Sequence, residues 1–401
     1  MCSGSWRRHV RINSNTNCLI FLLASLSLTA GAGSGGRQRL QLIGERNLST
    51  LIREPPGAEP HSHSIADLKI SDDDRWIAID LVAGHYEGPP HGTQHHHLLL
   101  VPADLKTDTA QQFDFEYQPQ TGSRFFLSAD AGIVVIADGA AVRVEDRRDH
   151  SSCSVLLSPG DSPGLYLGGF INAELFLVTL YSPVHRAPPN GSARYELYDR
   201  NCKLQDSWDL PGGMPATASP EAGHILLLRY FGGTQYETDL VEWPSWKVVN
   251  RWPFWQRGLA ADKGRVLCFE SFAGNRNSPV QCRDLANGTV LAKQVVVHDG
   301  DPLAVARSGK LAVGNDWFMM WKPFTEGYYW AHVKRQVLWD FRSGKVVASW
   351  VPQLQRDNAG KWKGLAFTIP RVPFICTLSH AGAFLLEGGD ETVRMSRISE
   401  Q

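Results

Sequence analysis

The sequence predicts an all-β fold, a single seven-bladed β-propeller of four-stranded blades, and three observations carry that prediction. A strand–turn–strand signal recurs seven times, with turn centres about 41 to 73 residues apart. Periods of roughly 40–50 residues plus loop insertions are the spacing of propeller blades. Most copies are followed by a third strand, a polar turn and a fourth strand. A content of 37 Gly, 23 Pro and 13 Trp suits short strands, many turns and aromatic packing.

Six copies of the signal read "LKISDDDRWIAID" (Leu68–Asp80), "FFLSADAGIVVIAD" (Phe125–Asp138), "ATASPEAGHILLL" (Ala216–Leu228), "GLAADKGRVLCFE" (Gly258–Glu270), "AVARSGKLAVG" (Ala304–Gly314) and "CTLSHAGAFLLEG" (Cys376–Gly388). Each is a short strand, a Ser/Ala–acid–Gly type of turn and an apolar strand. A seventh, "LYLGGFINAELFLVTL" (Leu165–Leu180), keeps the strands without the turn consensus. The turn glycines are Gly132, Gly223, Gly264, Gly309 and Gly382, with Arg75 and Ala173 in the two deviant copies. A four-stranded blade cannot bury both faces alone, so seven of them stack around an axis and leave short protected edges. The last copy ends at "TVRMSRISEQ", one strand short of a blade, while "RLQLIGERNLSTLI" (Arg39–Ile52) precedes the first copy. That N-terminal segment is predicted to complete the seventh blade and close the ring.

The third and fourth strands are clearest in "YELYDRNCKLQDSWDL", "VQCRDLANGTVLAKQVVV" and "RQVLWDFRSGKVVASWV". With Leu338-Trp339-Asp340 and the following Gly344-Lys345, the chain resembles degenerate WD-repeat β-propellers from Arg39 to the C-terminus. The resemblance implies that the connections after strands two and four share one face. On that face it places the strand-two loops Ala83–Gln94, Tyr181–Ala193, Tyr230–Thr238, Ser271–Pro279 and Asp316–His332, together with the shorter Asp138–Ala140 and Gly388–Glu391. Loops on a rigid scaffold carry function, so this long-loop face is the expected binding surface.

Upstream of the repeats, Arg7, Arg8, His9 and Arg11 form a basic leader before the short apolar run Cys18–Leu28. Ala30-Gly31-Ala32 offers small residues at a cleavage spacing. Residues 1–32 therefore read as a secretory signal peptide, with a retained anchor as the alternative, and 33–38 as a Gly/Ser-rich leader. The expected product is exported, periplasmic or secreted, and a single propeller over 39–401 with no later membrane span. Forty basic residues against 41 acidic ones give a net charge of −1, with no excess to neutralise phosphates. Nucleic acid is not an expected partner. The cysteines after cleavage match no zinc spacing. Cys268 and Cys282, equidistant from Asn275, can face each other across a hairpin, as a disulfide or as ordinary buried cysteines.

Two stretches stand out chemically. "AGHYEGPPHGTQHHHLLLV" (Ala83–Val101) holds His85, His91, His95, His96 and His97, and with His61 and His63 the region has half of the 14 histidines. On a strand, His95 and His97 share a face and His96 takes the other. His95 and His97, with His91 or His85 from the loop, supply donors for a divalent metal; a polar loop with adventitious metal affinity is the alternative. The second stretch, "NDWFMMWKPFTEGYYWAHVKRQVLWD", crowds Trp317, Phe318, Trp321, Phe324, Tyr328, Tyr329 and Trp330 into one apparent insertion. It reads as a self-packed lid on the central channel, as a ligand or partner site, or as a strand extension. Trp362, in the long connection to the last blade, is expected near it.

No Gly-x-Ser-x-Gly elbow, phosphate-cradling loop or His-Glu-x-x-His is present. The inner strands are apolar and small, apart from Asp67, Lys69 and the terminal Arg124 and Arg257. The expected function is a binding module for a protein or carbohydrate-like ligand, with Trp317, Trp321, Tyr328, Tyr329, Trp330 and Trp362 as contact residues and no required cofactor. The alternative is a metal-dependent propeller hydrolase or oxidoreductase using His91, His95 and His97.

Overall fold

The computed structural model describes residues 39–399, with the exception of 55–62, 84–93, 118–123, 158–163, 183–191, 212, 220–223, 233–234, 253–264, 270–276, 285–288, 298–303, 307–310, 322–327, 341–344, 351–374 and 390. The signal-peptide and leader expectations, His61, His85, His91, Phe324 and Trp362 lie outside these residues. Every regular element among the described residues is a β-strand, and no helix there is long and apolar enough to cross a membrane.

The strands form antiparallel sheets in chain order. The first sheet is β2 (His63–Ile70), β3 (Trp76–Ala83), β4 (Gln94–Pro102) and β5 (Gln111–Tyr117), preceded by β1 (Arg39–Asn47). The second holds β6 (Phe125–Leu127), β7 (Ile133–Asp138), β8 (Ala141–Asp146) and β9 (Ser151–Leu156). The third is β10 (Gly164–Phe170), β11 (Leu175–Ser182), β12 (Ser192–Asp199) and β13 (Leu204–Pro211). The fourth is β14 (Gly213–Ser219), β15 (His224–Gly232), β16 (Gln235–Glu242) and β17 (Lys247–Trp252). The fifth, with three described strands, is β18 (Arg265–Phe269), β19 (Asn277–Asp284) and β20 (Val290–Val297); its expected inner strand falls among 253–264. The sixth is β21 (Ala304–Val305), β22 (Leu311–Trp321), β23 (Tyr328–Asp340) and β24 (Lys345–Trp350). The last combines β25 (Ile375–Leu378), β26 (Phe384–Gly389) and β27 (Thr392–Ser399) with β1, which pairs with β27 from Arg39↔Ser399 to Asn47↔Thr392. The N-terminal strand thus sits where Arg39–Ile52 was expected to go.

The recurring turn has a common chemistry. Ser71, Ser128 and Ser379 each accept a backbone bond from the residue five positions on, through Oγ, at 2.9 to 3.0 Å. The same serines donate their own N–H back to that residue's carbonyl. The fourth residue of each turn is left-handed: Asp74 (φ 57°), Ala131 (φ 52°) and Gly382 (φ 74°). Gly382 occupies the position that needs a glycine, whereas Gly132 lies one residue beyond it. The glycines aligned in the sequence are therefore not structurally equivalent.

Alternation along the strands sends one set of side chains to each neighbouring sheet. Ile77, Ile79, Leu81, Leu99 and Val101 of the first sheet pack on Leu386, Val393 and Met395 of the last and on Leu48 and Leu51. The other face, Ala78, Leu98, Leu100 and Phe115, packs on Phe125, Val134 and Ile136 of the second sheet. Similar apolar seams join the second sheet to the third, the third to the fourth, and the sixth to the last. Each fully buried aliphatic side chain contributes about 1.5–3 kcal/mol, so the stacking of sheets carries the stability.

The strand register bears on two readings. β18 and β19 form the hairpin expected around Asn275, but Cys268 registers with Gln281 and Cys282 with Leu267. That one-residue offset removes the direct opposition a cross-hairpin bridge needs. The disulfide found joins Cys153 of β9 to Cys202, after β12, with 6.0 Å between Cα atoms, and so links the second and third sheets. Of the readings offered for the aromatic stretch, the strand extension is the one its described residues show. Trp317 and Trp321 lie on β22, and Tyr328, Tyr329 and Trp330 on β23, paired as Trp321↔Tyr328, Met320↔Tyr329 and Met319↔Trp330. Aromatic residues favour such cross-strand pairing, which length and composition alone do not distinguish from a loop.

Closing a loop of 49 residues between Cys153 and Cys202 removes about 4 kcal/mol of chain entropy from the unfolded state. Replacing both cysteines with serine is expected to lower the unfolding free energy by about 2–4 kcal/mol in a denaturant titration. Reductant should have the same effect on the native protein and none on the double variant.

Candidate metal centre

The histidines of β4 divide as strand alternation requires. His96 faces the second sheet, where its Nδ1 lies 2.7 Å from Asp80 Oδ1, both side chains fully buried. Arg124 Nη1 donates to Asp80 Oδ2 at 3.2 Å and to the Ala66 carbonyl at 3.0 Å. Phe115 and Tyr117 pack on the His96 ring. This is an internal polar network that ties β3 and β4, the second and third strands of the sheet, to its innermost strand and to the entry of the second sheet.

His95 and His97 take the opposite face, with ring centroids 4.9 Å apart; His95 is exposed and His97 buried. The inner strand brings a third imidazole, His63, whose ring centroid is 5.3 Å from that of His97. Each buried ring is held by a carboxylate on its Nδ1 side. His97 Nδ1 is 2.7 Å from Asp114 Oδ1, its ladder partner on β5. His63 Nδ1 is 3.3 Å from Glu391 Oε1, which also accepts the His63 backbone N–H at 3.0 Å. The Nε2 sides converge on Glu54: His63 Nε2 lies 3.0 Å from Oε1, and His97 Nε2 3.8 Å from Oε2.

Glu54 is positioned through its neighbour. The Arg53 N–H donates to Gln112 Oε1 at 2.8 Å, and Gln112 Nε2 donates back to the Arg53 carbonyl at 2.9 Å and to Asp114 Oδ1 at 2.7 Å. One side chain thus clamps the crossover from β1 to β2 against β5. Partial burial alone would raise the Asp114 pKa; the hydrogen bonds from His97 and Gln112, with the charges of His97 and His95, outweigh it and hold the carboxyl below its ordinary value.

Two donor sets arise, each with ligand atoms within 4.8 Å of one another: Glu54, His63 and His97, and His95, His97 and Asp114. The structure therefore brings His95 and His97 together as expected and leaves His91 outside the described residues. It adds Glu54, His63 and Asp114, none of which has a linear spacing that marks it. Pairing β5 in register with β4 would have found Asp114; His63 meets His97 across β3 within the first sheet, and Glu54 joins them only because the crossover from β1 of the last sheet passes here. Asp67 and Lys69, the charged inner-strand residues, form a 3.5 Å pair, and the Lys69 ammonium also lies over the Phe125 ring.

No family model matches the chain, and no curated protein does. Solved structures do. The Myceliophteria thermophila Cps50 (Swd1) β-propeller domain superposes with a TM-score of 0.55 at 11% identity, covering 90% of this chain and all of that one. A chain in the crystal structure of the mitotic checkpoint complex superposes with a TM-score of 0.53 at 10% identity, covering 93% and 97%. At these identities the similarity shows the fold, a WD-repeat-like β-propeller.

The His96 network generates a test. Removing one partner from a buried charged pair costs about 3–5 kcal/mol because the other charge stays buried. Asp80→Ala is expected to destabilise by that amount in equilibrium unfolding, and a loss below about 1 kcal/mol would mean that water reaches Arg124.

Proposed function

We propose that this chain is an exported seven-bladed propeller, closed into a ring by β1, that binds a protein partner at the end bearing the strand-two to strand-three connections. The observation that carries this reading is the β22–β23 ribbon. Its ladder continues from Asp316↔Arg335 to Trp321↔Tyr328, past the last β24 pairing at Gln336↔Trp350 and past β21, which reaches only Val313. Among the described residues no third strand pairs with it. A two-stranded ribbon is marginal in water by itself, and its edges are templates for an added strand. Concentrated Trp and Tyr are the residues that dominate protein interfaces.

Other features support the reading. Seven sheets in chain order, with the first strand added to the last sheet, fit a closed ring. The leader sequence and the Cys153–Cys202 bridge fit an oxidising, exported environment. One of the similar propellers belongs to a multiprotein complex by its description. A carbohydrate-like ligand is the other occupant of the same surface. The metal-dependent enzyme is the second reading, and the donor sets around His97 are the observation that favours it.

The test is quantitative affinity purification from the source organism with wild-type protein and a Trp321→Ala/Trp330→Ala variant, followed by a direct binding measurement on any stoichiometric protein recovered. The variant is expected to keep its melting temperature and to bind at least about tenfold more weakly. Equal binding by both would place the interface elsewhere, and a glycan as the sole retained species would favour the carbohydrate-like ligand.

A further inference from the structure

We infer that Glu54, His63 and His97 form a site for a zinc-type divalent cation at the seam between the last and first sheets. The inference is independent of the partner-binding ribbon, which lies on the sixth sheet.

The argument begins with tautomers. With Asp114 2.7 Å from His97 Nδ1 and Glu391 3.3 Å from His63 Nδ1, the neutral tautomer that donates from Nδ1 to these carboxylates presents Nε2 as a lone-pair donor on each ring. Gln112 Nε2, 3.2 Å from His97 Nδ1, does not change this, because its protons are donated to Asp114 and the Arg53 carbonyl. Both lone pairs then point toward the Glu54 carboxylate. His63 Nε2, His97 Nε2 and Glu54 Oε1 are all buried, and none has a hydrogen-bond partner among the described residues despite their short separations. The His63 and His97 side chains are 4% and 0% exposed. Three acceptor atoms turned toward one another away from water repel, and a cation between them removes the conflict.

The donor chemistry selects the cation. Two imidazoles and one carboxylate suit zinc and its neighbours and do not suit calcium or magnesium, which take oxygen ligands. Tetrahedral ligands at about 2.0–2.1 Å from zinc are spaced about 3.4 Å apart. The observed separations, 3.0 Å to one Glu54 oxygen and 3.8 Å to the other, are of the same order. Carboxylates on the far nitrogens of zinc-bound histidines are the usual means of orienting such rings. The fourth position is left for water. The alternative set, His95, His97 and Asp114, is the weaker candidate because its acid already accepts from His97 and Gln112 and is half exposed.

The position assigns a role. Glu54 lies in the crossover from β1, which belongs to the last sheet, to β2 of the first; His63 opens β2, and its oriented ring leans on Glu391 at the start of the segment entering β27. A cation here cross-links the crossover to the first sheet and acts as a clasp on the seam.

The test uses untagged protein stripped with chelator and titrated with zinc chloride against a chromophoric competitor. One equivalent is expected to bind and to raise the melting temperature, with an X-ray absorption spectrum showing two imidazole ligands. Glu54→Gln and His63→Ala should each weaken binding at least about tenfold, and His95→Ala should not. Glu54→Gln changes one partly buried carboxylate at near-constant shape and guards against loss of fold in the histidine variant. No bound equivalent, or binding abolished by His95→Ala and kept by Glu54→Gln, overturns the site. The first result means the cluster is held by protons alone, and the second means adventitious capture by surface histidines.

Discussion

The pairing of β1 with β27 is the constraint on which the rest of the structure depends. It spends the first strand of the described chain on the last sheet, so the two ends of the repeat array are bonded to each other through a full ladder. The register is reinforced at Glu45↔Arg394, where the guanidinium donates to both carboxylate oxygens at 2.7 and 3.2 Å, a bidentate geometry with directional strength. Arg46 reaches the other way, bonding Asp108 and the carbonyls of Leu105 and Thr107 in the first sheet. Leu48, donating to the Glu391 carbonyl at 2.7 Å, then buries its side chain completely in the seam core. One short segment is thereby fastened to both neighbours.

The same seam gathers the chemistry. Apolar stacking fills its middle, and the histidine and carboxylate cluster fills the end where β2 and β4 begin and the 84–93 connection leaves. Polar groups are tolerated there because each buried imidazole has a carboxylate on one nitrogen, and the crossover carrying Glu54 is pinned by two bonds with Gln112. On the opposite face of the same strand, His96 serves packing: with Asp80 and Arg124 it satisfies charge inside the core. Strand alternation separates the core His96 from His95 and His97, and on their shared face the structure leaves His95 exposed and buries His97.

Much of the fold was legible because it rests on local, repeated signals. The Ser-led turns at 71–76, 128–133 and 379–384 announce their hairpins, and the leftover strand at Arg39 and the missing strand after Thr392 predict one another. Alternation likewise separated His96 from His95 and His97. What was not legible depends on register or on distant contacts. A single-residue offset separates Cys268 from Cys282, and no local pattern marks Cys153 and Cys202 as partners across two sheets. The aromatic stretch left a lid, a binding site and a strand extension open because aromatic density is common to loops and to strands, and only its pairing as β22–β23 decides for the strands. Glu54 lacks any motif; it reaches His63 and His97 only because a strand from one end of the chain is built into the sheet at the other.

The most direct measurement is amide hydrogen exchange on the intact native protein, read strand by strand. If β1 closes the array, its ladder amides will be protected to the same order as those of β3 in the interior of the first sheet, and they will open with them in the global unfolding event. Exchange of residues 39–47 at the rate of an unpaired peptide, with β25 to β27 still protected, would contradict the closure on which this account of the fold and its metal clasp depends.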